Sequence, residues 1–362
     1  MRVTVLTKIP SPYQVELFDA IARRRADIEL SVLYVTRRDP DRQWADRQLG
    51  HAARFLDETP CPAAWVDDAD LVVFSWYRNP RVRQLIHRRV AARRAWAFWG
   101  ERPGFRSDGL PGRLYRRWRL APLHRDRRVP IWGIGEWAIE GYRREFGGGR
   151  LCLNVPYTSD LSRFFALSTQ ADAPPRTILY SGSLTRRKGV LDLARAFCSL
   201  RANGIGASLR ILGNGPLEPE LRRLLATTTG VEFAGFHDWN EVAGHYAGAD
   251  LLCAPSLYDG WGLVVAEAMA AGLPVVASEA VGAGRDMVIE GQTGWRVPAG
   301  NEALLAEGLR RALGLQASSL AAMRERCRMA ARRYDVAAGV ARFADAARTS
   351  IENFRAAGAL SL

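Results

Sequence analysis

The sequence predicts an α/β protein of two Rossmann-like, doubly wound domains. Three observations predict it. The chain has 362 residues, which is long for a single core. Short β-rich runs alternate with helical patterns in two successive series. Between the series lies FFALSTQADAPPRT, a small-residue, Pro-rich stretch with the composition of a linker. The boundaries that follow are residues 1–165 for the first domain and 166–336 for the second, with a striped helix near 337–358 packing back on the first.

In the first domain, strands are expected at 2–7 (RVTVLT), 28–35, 70–76, 95–100, 130–135 and 151–156. They are largely apolar, as befits parallel strands covered on both faces. Helical patterns at 13–25, 79–94 and 136–146 separate several of them. In the second domain, strands are expected at 177–182, 207–213, 231–235, 250–255, 273–278 and 294–298. Helices between them open near Gly189, Glu218, Asn240 and Gly262, and the tail from Glu302 is helical almost to its end. Two such domains facing a central cleft would bind ligands between the carboxyl ends of their strands.

The formal charge is +13 and is unevenly placed. Residues 1–165 hold 30 basic against 19 acidic side chains, or +11, and the rest of the chain only +2. An anionic partner or surface is therefore expected to meet the first domain. All basic residues are arginine except Lys8 and Lys188. Both lysines follow expected strands, where α/β proteins bind ligands. Five scattered cysteines form neither a disulfide frame nor a zinc pattern and suit a reducing cytosol. MRVTVLTKIPSPYQ is too short for a signal-peptide core. The run LVVAEAMAAGLPVVA is broken by Glu267 and falls short of the ~18 apolar residues of a spanning helix. The expectation is a cytoplasmic chain, soluble or lying on the inner membrane face.

Neither domain carries a dinucleotide fingerprint or a P-loop: the first turn, TKIPSPYQ, has no glycine, and SGSLTRRKG lacks the G-x-G-x-x-G spacing. YSGSLTRRKGV is nevertheless suited to phosphate. A strand ends at Gly182, cations follow at Arg186, Arg187 and Lys188, and a helix opens near Gly189, so amides and cations converge. A solvated basic loop is the ordinary alternative. PSLYDGWGLVVAEAMAAGLPV supplies a second anchor. A helix start there turns N–H groups outward. Glu267 sits about one turn in, among Val264, Val265, Ala268, Ala271 and Leu273. A lone acid in such company calls for a partner; it is placed to accept ribose hydroxyls, and Asp259 a sugar hydroxyl. Gly260 and Gly262 let backbone approach a ligand closely.

These motifs resemble the donor domain of the retaining GT-B glycosyltransferases of family 4 (glycosyl transferases group 1). The family's E-x7-E signature stands here as PSLYDGWGLVVAEAMAAGLPVV, with Asp259 and Glu267 in the two acidic places. Its G-R-L-x-x-x-K-G stands as GSLTRRKG, so Lys188 matches the phosphate lysine and Ser183 replaces an arginine, for which Arg187 or Arg186 is the substitute. ILGNGP, VEFAGF and VIEGQTGWRVP follow the family's course as well. The resemblance is dense over 177–300 and looser over 1–160.

It implies transfer of a sugar from a nucleotide-diphosphate sugar to a hydroxyl of a glycan or lipid-linked glycan, with retention. Lys188 and amides near Trp261–Leu263 would stabilise the leaving diphosphate, with Gly182, Ser183 and Arg187 at the same site. Glu267 would hold the ribose and Asp259 the donor sugar. No cofactor and no metal are expected beside the donor; DPD (39–41) and DAD (68–70) are weak metal motifs.

On the acceptor side Glu101, just after a strand in AFWGERPG, and Lys8 and Tyr13 in the first turn are the candidates. None of the histidines at 51, 87, 124, 237 and 245 sits at an obvious strand end of the first domain's cleft. Arginine-rich stretches at 78–94 and 113–128 contain apolar and aromatic residues and suit an anionic membrane surface. A non-catalytic binder of membrane or nucleic acid and a nucleotide-sugar epimerase on the same fold are the alternatives. The first leaves the acid–glycine–acid constellation without a use, and the second lacks a visible acid/histidine set.

Overall fold

The computed structural model describes residues 1–39, 47–58, 63–103, 109–168, 176–239 and 241–359. They form two compact units, Met1–Ser159 with Val336–Leu362, and Asp160–Asp335. Residues 169–175 of the Pro-rich stretch, Asp41 of DPD and the expected helix start at Asn240 lie outside the described residues.

The first unit is built on a parallel seven-stranded sheet. Its strands are β1 (Arg2–Thr7), β2 (Glu29–Tyr34), β3 (Ala52–Phe55), β4 (Leu71–Phe74), β5 (Trp96–Gly100), β6 (Ile131–Gly133) and β7 (Cys152–Asn154). The order is β3-β2-β1-β4-β5-β6-β7. Central β1 pairs Val5 with Val32 on one side and with Val73 on the other. Its residues from Val3 onward are buried, as its apolar run requires. The edge strand β3 was not anticipated: AARF is only four residues long, has no β-branched residue, and buries only Phe55 fully.

The helix Pro80–Ala91 is capped by Asn79, whose side chain accepts from the Arg81 N–H at 2.8 Å. Val82 and Ile86 enter the core, so its apolar face is not a surface feature. Arg89 is only 1% exposed and donates to the carbonyls of Val66 at 2.7 Å and Ala69 at 3.1 Å. Burial first, and then Arg94, pull its pKa down to about 10. Among the described residues the chain closes with the helix Val336–Ala359. This helix packs on Pro12–Arg24. Trp132 Nε1 donates to Ser350 Oγ at 3.0 Å, and the Phe343 ring meets Trp132 edge-on at 5.3 Å. Gly339 lies so close to Thr158 that an added Cβ would stand 2.1 Å from its Oγ1.

The second unit holds β8 (Thr177–Ser181), β9 (Ser208–Leu212), β10 (Val231–Gly235), β11 (Leu251–Ala254), β12 (Val275–Ser278) and β13 (Gly294–Val297). They form a parallel sheet in the order β10-β9-β8-β11-β12-β13. Helices Val190–Ala202, Glu218–Leu224, Val242–Tyr246 and Leu263–Ala270 follow successive strands. Because every pairing is parallel, all carboxyl ends share one edge, with the strand order reversing between β8 and β11. Each unit is thus a Rossmann-like, doubly wound domain.

Candidate functional site

Two loops meet at that switch point, one after β8 and one after β11. After β8 the chain runs through Gly182–Thr185 into a single tight turn, Arg186–Lys188. Gly189 then adopts φ 67° and opens the helix Val190–Ala202. A Cβ on Gly189 would stand 2.0 Å from the Pro255 carbonyl oxygen, so only glycine lets the loops come this close. Backbone and side chain join them. Leu257 N–H donates to the Arg187 carbonyl at 2.8 Å, and Arg187 Nη1 donates to the Tyr258 carbonyl at 2.8 Å.

The junction brings Lys188 and Asp259 together. Lys188 Nζ donates to Asp259 Oδ2 at 2.5 Å, with both side chains largely buried, and Arg187 Nη1 lies 3.8 Å from Oδ1. Arg187 is therefore the cation beside the pair, whereas Arg186 is exposed. Ser183 is also exposed; its carbonyl accepts from the Tyr180 hydroxyl at 2.8 Å. Burial, and after it the negative Asp259, push the Tyr180 phenol up. The loop is backed by Gly213 and Gly215, where a Cβ would stand 2.0 Å from the Gly182 carbonyl and 2.6 Å from that of Leu184.

Asp259 is itself fixed by backbone: its N–H donates to the Ala280 carbonyl at 2.8 Å and its carbonyl accepts from Gly282 at 3.1 Å. Gly260 is buried, and its carbonyl leaves no room for a Cβ on Gly282. Trp261 is 1% exposed and packs on Tyr334 at 5.6 Å. Gly262, at φ 90°, turns the chain into the helix Leu263–Ala270. Glu267 lies on that helix, half-buried, and accepts from the Tyr246 hydroxyl at 2.9 Å. Burial pushes its carboxyl up; the Tyr246 hydrogen bond and the positive Arg163 pull the other way. Arg163 is held over the Trp239 ring at 3.6 Å.

Sequence reasoning missed Tyr246, Arg163 and Tyr180. Glu267's isolation signalled a partner, but nothing in the chain pointed to a tyrosine so far away.

In the first unit, Lys8 follows β1 and Glu101 follows β5, at one sheet edge. Lys8 pairs with Asp39 and lies 5.5 Å from the Trp76 ring centre. Tyr13 meets Tyr157 at 4.7 Å. Burial, then Tyr13 and Glu101, push the Tyr157 phenol up, so Glu101, itself exposed, lies beside that pair. Asp70 of DAD accepts from the Arg2 N–H at 2.8 Å, a structural use. His51 is buried between Asp19, at 2.6 Å, and the Tyr34 hydroxyl, at 3.0 Å. Among the described residues no group of three or more His, Cys, Asp or Glu is placed to hold a metal, and no helix is long and apolar enough to cross a membrane.

Known proteins resemble this chain in sequence over part of its length and in fold. Residues 175–314 match the family model described as Glycosyl transferases group 1. WcaL of Salmonella typhimurium strain LT2, assigned as a colanic acid biosynthesis glycosyltransferase, is 33% identical over 101 residues, 27% of this chain and 25% of that protein. WcaL of Escherichia coli K12 is 34% identical over the same shares. The chain therefore spans about a quarter of the length of the curated relatives it matches. The Anabaena Alr3699/HepE structure in complex with UDP superposes with a TM-score of 0.74 at 16% identity, covering 96% of this chain and 100% of that one. WaaG, a glycosyltransferase involved in lipopolysaccharide biosynthesis, superposes with a TM-score of 0.66 at 18% identity, covering 95% and 98%. The chain has the two-domain GT-B fold, and its residues 175–314 are similar to the group 1 glycosyltransferases.

Proposed function

We propose that the protein is a retaining glycosyltransferase. It moves a sugar from a nucleotide-diphosphate sugar to a hydroxyl of a glycan or lipid-linked glycan in cell-surface polysaccharide synthesis. The observation that carries this reading is the convergence of Lys188, Arg187 and Asp259 beside the Leu263–Ala270 helix and Glu267, at the switch point of the second sheet. The WcaL relatives support polysaccharide synthesis, and the UDP complex of the Anabaena neighbour makes uridine nucleotides the first donors to try.

The roles follow from the chemistry. Leaving diphosphate gathers negative charge on oxygen, and fixed cations and N–H groups stabilise it most where water is excluded. Lys188 gives one N–H to Asp259 and, being an ammonium, has others for phosphate. Arg187 takes the place left by Ser183. The N–H groups of Trp261, Gly262 and Leu263 complete the cradle with that of Ser183. The Gly182 N–H is spent on the Leu212 carbonyl at 2.9 Å, so Gly182, like Gly260, serves by letting the ligand approach the backbone. Glu267 accepts from ribose, and Asp259 from the donor sugar. With cations and amides on the phosphates, the transfer needs no metal and no cofactor. Lys8, Tyr13 and Glu101 serve the acceptor.

Titration calorimetry with uridine, guanosine and adenosine diphosphate sugars, in chelator, tests the reading. One donor class should bind the native chain and bind Glu267→Ala far more weakly. The anomeric configuration of the product, read by NMR, should match the donor's. Absence of binding to every nucleotide sugar would favour the non-catalytic reading; an inverted product would refute retention.

A further inference from the structure

The helix Leu110–Arg119 is amphipathic with its faces reversed. Arg116 is the side chain it buries, 8% exposed, with Nη2 donating to Glu145 Oε2 at 3.0 Å. Outward it presents Leu110, Leu114, Tyr115 and Trp118, at 69, 58, 47 and 69% exposure. At the helical repeat, Leu110, Leu114 and Trp118 fall within an arc of about 80°. They make a continuous apolar stripe, whereas other exposed large apolar residues among those described are scattered through the second unit.

Arginines frame the stripe. Arg113 and Arg117 are exposed along one side. On the other, Arg119 donates to the Tyr115 hydroxyl at 3.1 Å and lies 5.0 Å from the Trp118 ring centre. Arg78 and Arg83, with Arg119 foremost, pull the Tyr115 phenol down, so they share this surface. Arg83 and Arg119 also line an apolar pocket with Tyr77, Trp96 and Phe98.

We propose that Leu110–Arg119 is a membrane-docking surface that takes an anionic bilayer. Leucines and tryptophan enter the interface, where indole rings are favoured, while arginines at the margins reach lipid phosphate. Charge argues against the other occupants. Two copies of this helix would set arginine against arginine. A nucleic-acid backbone would use the arginines but leave Leu110 and Leu114 without a contact. The role of 78–94 shrinks correspondingly: Arg89 is buried among carbonyls, and Arg88 pairs with Asp67.

Co-sedimentation tests this with the full chain and two kinds of vesicle: phosphatidylcholine alone, and phosphatidylcholine with about a third replaced by phosphatidylglycerol. Binding should favour the anionic vesicles and weaken as salt rises. Leu114→Ser with Trp118→Ser should lower partitioning by about tenfold or more. Arg113→Gln with Arg117→Gln should lower it on anionic vesicles alone. Both pairs are exposed, so thermal unfolding and donor binding should stay as in the native chain. Equal binding to both vesicles, undiminished binding by the serine pair, or an apolar stripe that sets only a monomer–dimer equilibrium would overturn the proposal. None of these outcomes bears on the sugar-transfer reading, because no donor is involved.

Discussion

At the scale of single residues, Glu267 trades stability for a charge in a costly place. Burial raises the Glu267 pKa above the ordinary carboxylate range. An acid raised in this way binds more protons folded than unfolded. Its ionisation therefore subtracts stability as pH climbs from the ordinary value through the raised one. Glu267→Gln keeps an acceptor for Tyr246 and removes the charge. It should melt above the native chain near neutral pH, with the gap closing under acid, while nucleotide binding falls. In the native chain nucleotide binding should weaken as pH drops through the raised value; the glutamine variant should show no such step. Calorimetry across pH checks both.

Lys188→Ala should lower turnover about a hundredfold, on the order of 3 kcal/mol at the transition state. Arginine should restore only part of it, since a planar fork does not fit a 2.5 Å point contact with Asp259. Steady-state kinetics decides this, and a rate within twofold of native would assign the phosphate to Arg187 instead.

At the scale of elements, glycines set how closely loops approach. Gly189→Ala meets the Pro255 carbonyl at a positive φ. It should cost about 2 kcal/mol or more and loosen Lys188 from Asp259, visible as a lower melting temperature together with weaker donor binding. The alternation of strands and helices was legible because parallel strands buried on both faces leave long apolar runs. β3 was not, because its edge position lets AARF stay short and largely exposed, with only Phe55 fully buried, so it leaves no long apolar run. In the site, the acids and Lys188 stood out through an improbable setting, an acid among apolar residues and a rare lysine after a strand. Tyr246 and Arg163 carry no such mark, since packing alone brings them to Glu267. The stretch 113–128 was legible as apolar and basic, but not the outward orientation of its apolar side; orientation depends on Arg116 finding Glu145.

At the scale of the whole molecule, the two units differ in how the chain builds them. Asp160–Asp335 is one continuous segment, whereas the other unit needs both ends of the chain. Residues 160–335 made alone should fold cooperatively and bind the donor nucleotide. Residues 1–335 should keep that transition but lose the other, because Trp132 and the Pro12–Arg24 helix are left without their cover. Differential scanning calorimetry of the two truncations reads this directly. Two transitions in residues 1–335, one matching each unit of the native chain, would show the terminal helix to be dispensable.

The return of Val336–Ala359 to the first unit also imposes a schedule on the ribosome. When Ser159 emerges, the docking place beside Trp132 and Trp99 is vacant and stays so while residues 160–335 are translated. At bacterial-to-eukaryotic elongation rates that is about 10–35 s. During this interval the half of the protein synthesised first is the half that cannot finish, and the later segment can mature ahead of it. Chaperones that shield apolar nascent chain would find their substrate in Met1–Ser159, and release would wait for the synthesis of Val336–Ala359.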